Sequence, residues 1–225
     1  MAANQIQIRD LGLQDYLSVW QQMRDYTESR TENTADQIWL VEHPPVFTQG
    51  RAGKPEHVLA PGEIPLVQTD RGGQVTYHGP GQLILYPLLD LKRLKLGIRP
   101  LVEALENAVV ELLKGMNITA YGSKEAPGVY VDGKKIASIG LRIRKQCSYH
   151  GLSLNVRMDP EPFSRINPCG YKGLEVTQIS TLCSDYQVDM IKRELVQNLA
   201  KGLGFDALIW ELKPEWDRNK ATIYS

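Results

Sequence analysis

Most apolar runs in this chain are separated by turns too short to hold a helix, so the strands they predict must pair mainly antiparallel. The clearest case is Asp132-Gly133, which lies between the apolar runs 129–131 and 136–143. Asp-Gly between two such runs predicts a two-residue hairpin turn, because both turn positions need positive φ. Further strands are expected at 6–8, 37–41, 46–48, 66–69, 75–77, 83–88, 149–156 and 205–212, and 160–177 reads as loop. The second and third of these flank His43-Pro44-Pro45, since proline disfavours helix in the residue before it. Helical spacing occurs three times. It links Leu13, Tyr16, Leu17, Trp20, Met23 and Tyr26; then Leu101 to Leu113, between Pro100 and Gly115; then Val188, Ile191, Leu195, Leu199 and Leu203. The expected fold is α+β, a mixed, largely antiparallel central sheet with packed helices. No linker, repeat or low-complexity tract divides the 225 residues, so one domain, 1–225, is expected.

Composition narrows the function. Basic and acidic residues number 26 each, and no Lys/Arg cluster is interleaved with aromatics, so nucleic acid is not an expected partner. The longest apolar run, 83–91, is too short to span a bilayer, and the first eight residues lack the basic flank and apolar stretch of a secretory signal. A cytoplasmic protein with no membrane partner is expected. Three cysteines, Cys147, Cys169 and Cys183, with no Cys-x-x-Cys pair, argue against a disulfide framework and a structural zinc site. A reduced thiol is then free to act as a nucleophile.

Two segments carry chemistry. The turn from Arg71 to Gly81 contains Gly72, Gly73, Gly79 and Gly81, which remove side chains where backbone would approach a ligand. Glycine punctuates ordinary turns as well, and the spacing is neither a phosphate loop nor a dinucleotide fingerprint. Cys169 sits in Asn167-Pro168-Cys169-Gly170, a context that breaks regular structure, although a free cysteine is equally at home as a small buried hydrophobe. An ordinary thiol, with a pKa of about 8.5, is only a few per cent thiolate at neutral pH, so a nucleophile needs a cation beside it. Lys135, just past the Asp132-Gly133 turn, is the candidate. His78 reads either as a base for Cys169, as in a cysteine hydrolase, or as a turn histidine that orients substrate. Tyr77, Leu83, Ile84 and Leu85 are candidates for an acyl tunnel or for ordinary core. Arg142, Arg144 and Lys145 form either a basic docking patch or a solvated strand end.

Four ordered segments, Arg71 to Gln82, Gly128 to Gly140, His150-Gly-Leu-Ser-Leu-Asn155 and Pro168-Cys169-Gly170, resemble the bacterial lipoyl(octanoyl) transferases of lipoate biosynthesis, without departure at these positions. The resemblance extends over essentially the whole chain. It implies the catalytic-domain fold of the biotin and lipoate protein ligases. It further implies transfer of octanoyl or lipoyl from the phosphopantetheine thioester of acyl carrier protein to a lysine of lipoyl domains. Those domains belong to 2-oxoacid dehydrogenase complexes and the glycine cleavage H protein. By the same resemblance Cys169 carries the acyl group and Lys135 assists. Substrate contacts fall on Arg71, Gly72, Gly73, Gln74, Val75, Thr76, Tyr77, His78, Ser138, Ile139, Gly140, Gly151, Leu152 and Ser153. No cofactor, metal or ATP is implied, and a monomer is expected. An ATP-dependent lipoate ligase, a thioester hydrolase and a non-catalytic carrier-protein module stay open as alternatives.

Overall fold

In the computed structural model, which describes residues 4–211, the chain runs β1 (Gln5–Leu13), α1 (Tyr16–Glu28), β2 (Gln37–Glu42), β3 (Val46–Gln49), β4 (Leu66–Gln68), β5 (Val75–His78) and β6 (Gln82–Leu88). It continues through α2 (Ile98–Gly115), β7 (Tyr121–Gly122), β8 (Gly128–Val131), β9 (Lys134–Arg144), β10 (Cys147–Asn155), α3 (Ile179–Leu182), α4 (Val188–Gly202) and β11 (Ala207–Trp210). Residue 212, the last of the strand expected at 205–212, lies outside the described residues.

The main sheet has eight strands in the order β11-β1-β2-β6-β10-β9-β8-β7. β1 pairs parallel with β11 and β2, and every pairing from β2 onward is antiparallel. The α+β class and the mixed, largely antiparallel sheet expected from the turn lengths are therefore what forms. A second sheet of three strands, β4-β3-β5, was not separable by pattern, because its strands are short and two of them, β3 and β5, are buried like those of the first.

Alternation along β6 divides the interior, since successive strand residues face opposite sides. Leu83 and Leu85 enter the large core shared with α2 and α4, whereas Ile84, Tyr86 and Leu88 pack with Val19 and Met23 of α1. Two tunnel candidates, Leu83 and Leu85, are thereby core residues. The first helix starts later than its apolar spacing suggested: Leu13 ends β1, and the Asp15 carboxylate accepts from the Ser18 N–H to cap α1. A second hairpin, joining β9 to β10 through Lys145 and Gln146, both at positive φ, has no Asn-Gly or Asp-Gly signature to announce it. No helix among the described residues is long and apolar enough to cross a membrane.

Candidate active site

The Asp132-Gly133 turn forms with φ of 49° and 78° and aligns Val131 with Lys134. One step further the register slips: Tyr130 faces Lys135 while Val129 faces Ala137, which leaves Ile136 unmatched. Such a bulge re-aims a side chain. Lys135 is only 1% exposed, and its Nζ donates to Pro127 O at 3.2 Å and to Cys169 Sγ at 3.0 Å, with the Tyr130 ring centroid 5.2 Å away. Burial pulls the lysine pKa down, but the charge and hydrogen bond of Cys169, together with Tyr130, more than reverse this and raise it above its ordinary value. Lys135 therefore rests as the ammonium.

Gly128 makes room for that side chain. A Cβ there would sit 2.4 Å from Ala137 O and 2.8 Å from Lys135 Cε, on a backbone with φ of +142°. Gly128→Ala should cost about 3 kcal/mol of stability and displace the ammonium from Cys169. Urea unfolding together with the iodoacetamide rate at Cys169 checks this, and wild-type values for both would refute it.

Cys169 occupies a tight turn, Pro168–Gly170, with φ 56° and ψ 16°. Non-glycine residues seldom adopt this left-handed conformation, and it concentrates at functional sites. The turn is closed by Gly170 N–H to Asn167 O (2.9 Å) and Tyr171 N–H to Pro168 O (3.1 Å), and anchored by Asn167 N–H to His57 O (2.8 Å). A Cβ on Gly170 would lie 3.1 Å from Gln74 Cγ, so the cysteine turn packs directly on the glycine loop. Of the other thiols, Cys147 is buried, which pushes its pKa up, and Cys183 contacts Asp185 O; neither lines the cavity described next.

Cys169 opens on a cavity of about 400 Å³, the size of a small-molecule site. Its walls include Arg71, Gly72, Gly73, Gln74, Val75, Thr76 and His78 from the glycine loop, Ser138, Ile139 and Gly140 from β9, and Gly151, Leu152 and Ser153 from β10. Thirteen of the fourteen expected contact residues thus share one cavity. Tyr77 is the exception: its ring packs on Phe47 and Phe163, at centroid distances of 5.5 and 5.6 Å, in a separate cluster. Ile84 lines the cavity as well. Across the β9–β10 ladder Gly140 faces Gly151 and Ser138 faces Ser153, so small residues stand opposite one another. Gly72 N–H to Leu141 O (2.9 Å) ties the glycine loop to β9. Arg71 is buried and bonds Thr48 Oγ1, Thr48 O and Gly72 O.

Asp70 had no local sequence signal beyond its place next to Arg71. Its carboxylate accepts from Trp20 Nε1 and His150 Nε2, both at 2.9 Å, and from the Tyr149 hydroxyl. Burial pushes its pKa up, yet these donors outweigh that and hold it well below the usual carboxylate range. Asp70 thereby pins the start of the glycine loop to α1 and β10.

His78 does not touch Cys169. Its Nδ1–H donates to Gln82 Oε1 at 2.7 Å and its Nε2 faces the Thr48 hydroxyl at 3.3 Å, a tautomer that follows from Gln82 using its amide nitrogen on Tyr77 O and Asn155 Oδ1. Burial pushes the pKa of His78 down to about 3 and that of His43 down to about 4. Both values lie below the unfolded 6.5, so the unfolded chain takes up protons first as pH falls. The stability these neutral rings contribute is complete above about pH 6.5 and is lost on acidification towards those folded-state values. Urea midpoints from about pH 7 down to about pH 5 should fall, by up to about 1.4 kcal/mol per pH unit for each histidine. A flat profile would contradict the buried neutral assignment.

The basic residues singled out in the sequence are partly paired. Arg144 and Lys145 both pair with Glu28, and Arg142 is half-buried beside Tyr149.

The family described as lipoyl protein ligase A/B catalytic domain matches residues 15–200. An octanoyltransferase from Shewanella halifaxensis is 58% identical over 209 residues, 93% of this chain and 95% of the relative. In fold, the chain is similar to a bi-partite lipoate protein ligase from Thermoplasma acidophilum, with TM-score 0.70 and 14% identity over 97% of this chain and 90% of the other. A biotin protein ligase from Aquifex aeolicus, solved with biotin and ATP, is similar at TM-score 0.52 and 16% identity over 89% and 70%.

Proposed function

The chain belongs to the lipoyl protein ligase A/B catalytic-domain family and transfers octanoyl groups in protein lipoylation; we propose that it does so through a thioester on Cys169, with Lys135 moving the protons. The donor in this reading is octanoyl-acyl carrier protein. The acceptors are lysines of lipoyl domains in 2-oxoacid dehydrogenase complexes and of the glycine cleavage H protein. A single catalytic domain, monomeric and cytoplasmic, carries the reaction without ATP or metal. The observation that carries the reading is the 3.0 Å contact between Lys135 Nζ and Cys169 Sγ at the wall of a cavity lined by the glycine loop, β9 and β10.

The steps balance without an external energy source, because a thioester is an activated acyl donor and an amide is the more stable product. The Cys169 thiolate attacks the thioester carbonyl, and the pantetheine sulfur departs with the proton of the Lys135 ammonium. A neutral acceptor amine then attacks the Cys169 thioester. Lys135, now neutral, takes the proton this nitrogen loses, the amide forms, and the thiolate is released beside a restored ammonium. A resting neutral Lys135 would require its pKa to fall by about 3 units, about 4 kcal/mol, whereas its environment shifts it the other way.

Intact-protein mass spectrometry after mixing with octanoyl-acyl carrier protein, with ATP and magnesium absent, tests the reading. One octanoyl group on Cys169, removable by hydroxylamine and passed on to a lipoyl domain, is the expected result. Label on Cys147 or Cys183, or a strict ATP requirement, would overturn it. A thioester hydrolase is disfavoured because Lys135, rather than a histidine, bonds Cys169 Sγ, while His78 is committed to Gln82 and Thr48.

A further inference from the structure

How long an acyl chain a pocket accepts depends on where it begins and where it is stopped. Here it begins at Cys169, bonded to Lys135 at the start of β9. From there the lining passes Ser138 and Gly140 of β9 and Gly151 and Ser153 of β10, and reaches Ile84 and Tyr86 of β6. Neighbouring strands stand ~4.8 Å apart, so β9 to β6 is about 10 Å, close to the extended length of an eight-carbon chain.

On the β6 side Ile84 stands beside the rings of Tyr16, His78 and Tyr86. Tyr16, the first residue of α1, lies parallel to His78, with centroids 5.9 Å and planes 10° apart, and meets His43 edge-on at 5.1 Å. His43 is braced in turn, its Nδ1–H bonded to Gln14 O at 2.7 Å and its Nε2 accepting from the Tyr86 hydroxyl at 2.9 Å. Tyr16 is 3% exposed, and its hydroxyl, beside Thr69, makes no hydrogen bond of normal geometry. The ring is therefore held by the capped start of α1 and by its ring neighbours.

We infer that Tyr16 is a specificity-determining residue, its ring closing the end of the acyl pocket remote from Cys169 and limiting the accepted chain to medium length. The wall it forms with His78 and Tyr86 is aromatic and is backed by His43, and both histidines have their ring nitrogens engaged, which suits a hydrocarbon tail. The inference rests on the octanoyl-transfer reading. It adds the element of the chain, the start of α1, that measures the substrate.

The test compares kcat/KM for acylation of Cys169 by hexanoyl, octanoyl, decanoyl and dodecanoyl thioesters of acyl carrier protein. With the wild type, the rate should fall steeply beyond the medium chains; a profile flat through dodecanoyl would remove the wall without recourse to any variant. Tyr16→Leu should raise the dodecanoyl-to-octanoyl ratio by at least about tenfold, the discrimination that a methylene or two produces in an apolar pocket. Tyr16→Trp should shift preference towards hexanoyl, and Tyr16→Phe should keep the wild-type profile because the ring, and not the hydroxyl, forms the wall. Equal changes at all chain lengths in both the Leu and Trp variants would overturn the assignment. If the wild type accepts no thioester of any length on Cys169, the acyl-transfer reading itself fails; acylation with unmoved length profiles removes only the role of Tyr16.

Discussion

Cys169→Ala should abolish octanoyl transfer, with kcat falling by about 10,000-fold or more and no acyl adduct at any time point. Without the sulfur there is no covalent intermediate, and the acceptor amine would have to attack the carrier thioester directly in a site with no activated nucleophile. Stability should behave differently. Because position 169 has φ of 56°, which glycine adopts freely and alanine does not, Cys169→Gly should be as inactive as the alanine variant yet more stable than that variant by about 1 kcal/mol. Both variants leave the Lys135 ammonium without its sulfur partner, so that loss cancels between them. Single-turnover transfer to a lipoyl domain and urea unfolding of all three proteins make the comparison. A Cys169→Ala enzyme retaining a tenth of the wild-type rate would exclude the covalent route, and a Cys169→Gly no more stable than Cys169→Ala would show that the turn is not strained.

Loss of Lys135 is the second large effect, and two substitutions divide its roles. Lys135→Ala removes both the charge beside the sulfur and the proton carrier, so iodoacetamide modification of Cys169 at neutral pH should slow and kcat should drop by about 100- to 10,000-fold. Lys135→Arg keeps a cation but cannot give up its proton, so modification should stay fast while transfer remains slow. Alkylation and transfer therefore separate in the arginine variant and fall together in the alanine variant. Full transfer by Lys135→Arg would eliminate the shuttle, and unchanged alkylation in Lys135→Ala would eliminate the charge pairing.

Much of the scaffold is local, and so it was readable. The Asp132-Gly133 turn needs positive φ at two adjacent positions, which those residues tolerate, and the hairpin follows from that alone. The apolar stripe of α2 buries Leu101, Leu105, Val109 and Leu112 as a period of 3.6 residues requires. The apolar run 83–88 predicted that β6 would be a strand, but which of its faces lines the cavity depends on what lies above and below; Ile84 and Leu83 differ in which helix covers them. The same limit explains the basic patch: Arg144 and Lys145 share the carboxylate of Glu28, more than a hundred residues away in the chain.

The candidate residues divide in a similar way. Sequence alone, through four ordered motifs, determined the residue types the chemistry requires: a cysteine in a broken loop, a lysine after a tight turn, and glycines where backbone must approach a ligand. Tertiary structure decided the distances and the neighbours. A bulge at Ile136 sends Lys135 inward to within 3.0 Å of a sulfur 34 residues later, a three-donor shell from Trp20, Tyr149 and His150 fixes Asp70, and Tyr16 meets His43 and His78 across separate elements. Turn and helix preferences are set by each residue and its near neighbours. Such long-range contacts depend on strand register and on which surfaces pack together, which no window of neighbouring residues contains.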